Sequence, residues 1–74
     1  MQETQTLRYR GVMRFAYSVA LLHLMEYARY SKDHFEFGPM DLDALEGQGL
    51  VVSGDVSGAV KVLEGIPGLY LTDE

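Results

Sequence analysis

Leu50-Val51-Val52-Ser53-Gly54-Asp55-Val56-Ser57-Gly58-Ala59-Val60-Lys61-Val62-Leu63-Glu64-Gly65-Ile66 carries most of the architectural information in this chain. Val56, Ala59, Val60 and Leu63 fall at i, i+3, i+4 and i+7, the spacing of one buried helical face. Ser53 reads as the N-cap of this helix, with Asp55 in its first turn beside the positive end of the helix dipole. Gly65-Ile66 reads as a left-handed stop with its hydrophobic contact, and Pro67 prevents continuation. Leu50-Val51-Val52 precedes the cap as an apolar connection. Read this way, the stretch is a helix entered from a loop, and the chain around it is mainly α.

Working outward, Val12, Phe15, Ala16, Val19, Leu22 and Met25 share one helical face, and Ala20, Leu24, Tyr27 and Ala28 the next. The spacing predicts a helix from Val12 to about Ser31, with a stripe wide enough to pack on more than one side. Leu7 to Val12 alternates apolar and basic residues, as a short half-buried strand does, and predicts an extended lead-in. Phe35 and Phe37 alternate in a very short strand that Gly38-Pro39 ends. Asp41 predicts the cap of a short helix with Leu42 and Leu45 inward, closed by Gly47-Gln48-Gly49. Leu69 to Thr72 alternates again and is expected to pair with the Phe35 to Phe37 strand. Residues 1–6 and 73–74 are expected to be loose ends of one domain spanning 1–74.

The 74 residues include 47% hydrophobic and 23% charged side chains and no Cys. That composition suits one globular domain with a thin core and no disulfide support. The longest apolar run is broken by Ser18, His23 and Glu26, so no membrane segment is expected and a cytoplasmic setting is the default. Charge is unevenly placed. Arg8, Arg10, Arg14, Arg29 and Lys32 outweigh Glu3 and Glu26 up to residue 32, a balance of +3, whereas the remainder stands at −8, for a net −5. Such asymmetry bears on partners rather than on fold.

His23 and Glu26 offer two ligands where a structural zinc takes four, and a partly buried, hydrogen-bonded His explains the pair more simply. Asp41 to Glu46 lacks the ligand spacing of a calcium loop. Ser53 and Ser57 have no neighbouring His to activate them, and Gly47-Gln48-Gly49 lacks the Lys of a phosphate loop. No catalytic residue, metal ligand or cofactor is expected, and the chain reads as a non-enzyme.

The order of elements resembles the winged-helix branch of the helix-turn-helix proteins: Met40 to Leu45 is similar to their second helix, Asp55 to Glu64 to their recognition helix, and Gly65 to Leu71 to the step into the wing. The resemblance implies a three-helix domain, mainly α with a small β component, whose wing is truncated at Glu74. It departs from that family where function is decided, because Asp55 and Glu64 flank a single Lys61 and no Arg, Asn or Gln is present to read bases. In size, acidity and lack of Cys the chain also resembles small phage-encoded proteins that bind host RNA polymerase. That likeness implies a transcription regulator that binds a protein partner, as a monomer or small homodimer, with Arg8, Tyr9, Arg10, Arg14, Leu69, Tyr70 and Asp73 as contact residues. The alternative is a DNA-binding repressor using the basic N-terminal patch.

Overall fold

The computed structural model describes residues 5–72. In chain order it comprises β1 (Gln5–Gly11), α1 (Arg14–Tyr30), β2 (Phe35–Gly38), α2 (Leu42–Gln48), β3 (Leu50–Gly54), α3 (Ser57–Glu64) and β4 (Leu69–Thr72). All four strands join one antiparallel sheet in the order β2-β3-β1-β4. With 29% strand and 47% helix among the described residues, the fold is mixed α/β. This corrects the expected mainly α, winged-helix-like domain with a truncated wing.

The correction originates at Leu50-Val51-Val52. Three apolar residues are too few for periodicity to separate a strand from a connection, so long-range pairing decides. Here they form β3, with Leu7 opposite Val52 and Tyr9 opposite Leu50 on β1, and Glu36 opposite Ser53 on β2. Gly49 at φ 82° turns the chain from α2 into β3; a side chain there would also meet the Tyr9 carbonyl 2.7 Å away. Ser53 therefore lies in a strand and caps nothing. Helix α3 starts at Ser57, with Val56 at the cap position and no side-chain cap bond. Gly65 ends it at φ −83°, in the right-handed region rather than the left-handed one expected. Gln5 and Thr6, expected to be loose, pair with Gly54 and Ser53. Strand β4 pairs with β1, not with β2.

Two β-α-β units interleave in this sheet. β1-α1-β2 steps over β3, and β3-α3-β4 steps over β1, which is the ferredoxin-like split arrangement with α2 inserted between β2 and β3. Strand alternation puts Tyr9, Leu50 and Val52 on one face of the sheet, where they are buried with Tyr17, Leu24, Leu45, Ala59 and Leu63 from the three helices. Arg8, Arg10, Val51, Ser53 and Tyr70 occupy the opposite face.

Several local expectations hold. Asp41 caps α2 by accepting a hydrogen bond from the Asp43 N–H at 3.0 Å, and Leu45 beneath it is fully buried. Helix α1 lies within its expected bounds, but it packs on one side only. Ala16, Tyr17, Ala20, Leu21 and Leu24 are buried, whereas Phe15, Leu22 and Met25 face outward.

Leu50 is fully buried at the centre of the sheet. Leu50→Ala should lower stability by about 2–5 kcal/mol, read as a reduced urea midpoint at unchanged slope. The exposed Leu71→Ala should cost less than about 1 kcal/mol.

Candidate functional site

The three arginines of the expected basic surface all reach α2. Arg8 and Arg10 project from the open face of the sheet and donate to the carbonyls of Gln48 at 2.9 Å and Gly47 at 3.3 Å, at the C-terminal end of α2. That helix has no basic residue in its own last turn, so β1 supplies the cations its carbonyl end favours. Arg14, at the start of α1, reaches α2 from the other side, 3.0 Å from Asp43 and 3.9 Å from Glu46. All three arginines thus bond to α2, Arg8 and Arg10 to its carbonyl end and Arg14 to its carboxylates.

Tyr9 and Leu69, expected as contact residues, are only 3% and 9% exposed and belong to the core. Burial, with the Glu64 charge as the lesser cause, raises the Tyr9 phenol above its ordinary pKa. Tyr70 is well exposed on the open face opposite Arg10. Asp73 lies outside the described residues.

A shallow groove of about 470 Å³ runs between α1 and α3, lined by His23, Glu26, Tyr27, Tyr30, Ser31 and Val62. Here the Tyr27 hydroxyl donates to the Asp33 carboxylate at 2.5 Å, and the Ser31 Oγ accepts from the Asp33 N–H at 2.9 Å. The bond to Asp33 is the largest cause of a raised Tyr27 pKa. The Phe35 ring lies beside Tyr27, tilted by 33° with centroids 5.7 Å apart. This knot closes the α1–β2 connection against α3. A methyl group at Gly58 would overlap the Tyr27 hydroxyl and come within 2.6 Å of the Asp33 carboxylate. His23 is exposed rather than partly buried as expected. Among the described residues no group of three or more His, Asp or Glu is placed to hold a metal ion. None of the described helices is long and apolar enough to cross a membrane.

The most distinctive surface is the outer flank of α1. Phe15 and Leu22, two turns apart on one face, are 59% and 63% exposed, and half-buried Val19 lies between them. Met25 flanks this row, and exposed Val12 and Met13 lead into it. Charged side chains bound it: Arg14 with Asp43 and Glu46 near one end, and the Glu26–Arg29 pair at the other. The spacing placed Phe15, Leu22 and Met25 on one face of a helix expected to pack on more than one side. The width of the stripe is plain in the sequence, but it exceeds what so small a domain can cover, and only one side of it is buried.

Comparison with protein-family models, with curated proteins and with solved structures yields no match for this chain.

Because the native pKa of Tyr27 is raised, its bond to Asp33 stabilises fully below the unfolded tyrosine value near 10 and is lost as pH rises through the native value. Tyr27→Phe should lower stability by about 1 kcal/mol at pH 7, with the deficit shrinking in alkaline melts. Gly58→Ala should destabilise, against the gain of roughly 0.5–1 kcal/mol that this exchange ordinarily brings inside a helix.

Proposed function

We propose that this chain is a small acidic protein-binding module that acts without turnover and docks through the outer flank of α1. The exposure of Phe15, Leu22 and Met25 in one row carries this reading. Large apolar side chains enclosed by charged neighbours match the apolar centre and polar rim of protein interfaces. Met25 and Met13 add flexible apolar contact that adapts to a partner's shape. Among partners, RNA polymerase is the one to test first, on the likeness in size, acidity and lack of Cys to small phage-encoded transcription regulators. Duplex DNA is disfavoured by the net charge of −5 and by the engagement of Arg8, Arg10 and Arg14 with α2.

Purified bacterial RNA polymerase and immobilised duplex DNA, each titrated with the full chain, test this reading. Polymerase binding that Phe15→Glu and Leu22→Glu each weaken at least about tenfold, while melting stays within about 0.5 kcal/mol of the parent, is the expected result. Binding to polymerase that both variants leave unchanged would remove α1 as the docking element. Salt-sensitive retention on DNA would favour the repressor alternative.

A further inference from the structure

β4 forms one edge of the sheet, and its backbone shows which groups remain to be paired. The Val12 N–H donates to the Gly68 carbonyl at 2.8 Å, and Tyr70 stands opposite Arg10 in the same register. Antiparallel ladders alternate, so Gly68, Tyr70 and Thr72 turn their peptide groups toward β1, while Leu69 and Leu71 turn theirs outward. No described strand lies beyond them. The side chains here are Leu69, Tyr70, Leu71 and Thr72, with no charge and no proline to discourage another strand. The opposite edge differs. Strand β2 carries the charge of Glu36 within the strand itself.

We propose that β4 is a dimerisation strand, which pairs antiparallel with β4 of a second copy about a two-fold axis at Tyr70. Leu69-Tyr70-Leu71 reads the same in both directions, so two copies are mutually complementary without adjustment. In this register Leu69 of each copy exchanges both backbone hydrogen bonds with Leu71 of the other. These pairs use the outward N–H and C=O groups and continue the sheet across the axis. Leu71, half exposed in one copy, lies against its partner's Leu69 on the helical side. The two Tyr70 rings meet on the open face at a non-hydrogen-bonded position, where facing side chains come closest. The strand itself is uncharged, so two chains of net −5 meet without like charges in the seam. The seam is short, well below the roughly 1,200 Å² of a standard interface, and the dimer is accordingly weak.

The chain has no cysteine, so Tyr70→Cys introduces a single reporter. The register sets the two Cα atoms at position 70 about 4.5 Å apart, within disulfide reach. Under mild oxidation Tyr70→Cys should form covalent dimer at least about tenfold faster than Glu36→Cys on the other edge or Leu71→Cys one residue away, whose Cα pair lies beyond about 7 Å. Sedimentation of the unmodified chain should show concentration-dependent dimer below about 500 μM. Leu71→Pro, which removes an outward N–H and leaves the ladder to β1 intact, should abolish it; Leu71→Lys serves if the proline variant does not fold. Leu22→Glu should leave it unchanged. A monomer throughout that range, cross-linking at position 70 no faster than at position 36, or a dimer lost in Leu22→Glu and kept in Leu71→Lys would overturn the proposal.

Discussion

The structure depends on the pairing of β1 with β3, in which Leu7 faces Val52 and Tyr9 faces Leu50 across more than forty residues of chain. With β4 on its other side, β1 is an interior strand, and its alternation divides the molecule. Tyr9 points into the helical layer and joins the core, while Arg8 and Arg10 point to the open face. From there the two guanidinium groups hold the carbonyl end of α2, and Arg14 holds its acidic side. A helix of seven residues has little stability of its own. It keeps its place through buried Leu45, the Asp41 cap and these three arginines.

A thin core accounts for what is left outside. One sheet face and two flanking helices cover only one side of α1, although its sequence is apolar nearly all round. The surplus appears as Phe15, Leu22 and Met25 on the outer flank. An exposed apolar row of this kind is the feature on which the proposed docking role rests. The edge of β4 is a second region with unmet pairing capacity, on a different part of the molecule and of different chemistry. The flank of α1 offers side-chain area, and the edge offers peptide groups. The two surfaces are therefore compatible with a protein that both self-associates and binds a partner.

Features set by local spacing were legible in the sequence, and features set by distant pairing were not. Helix α1, the Asp41-capped α2, and the short strands β2 and β4 each follow from alternation, periodicity or a cap within a few residues. The roles of β1 and β3 do not. Leu50-Val51-Val52 carries no period, and the polar start Gln5-Thr6 becomes strand only because Gly54 and Ser53 lie opposite. Missing β3 turned a sheet-based fold into a helical one and attached a recognition-helix role to α3. The alternation of Leu7 to Arg10 did contain the inward direction of Tyr9, yet the basic residues beside it drew the reading toward an exposed contact patch. Of the basic residues behind the charge asymmetry, folding brings Arg8, Arg10 and Arg14 onto α2, while Arg29 pairs with Glu26. Among the described contact residues read from sequence, Tyr70 alone is exposed and neither belongs to the core nor bonds to α2.

Amide hydrogen exchange on the intact chain tests the central position of β1 most directly. In a sheet ordered β2-β3-β1-β4, the N–H groups of Leu7, Tyr9 and Arg10, bonded to strands on either side, exchange among the slowest in the molecule, together with that of Leu50. Rapid exchange through residues 5–11 with protection confined to the helices would instead describe a helical domain carrying a loose arm, and would contradict the sheet-centred fold.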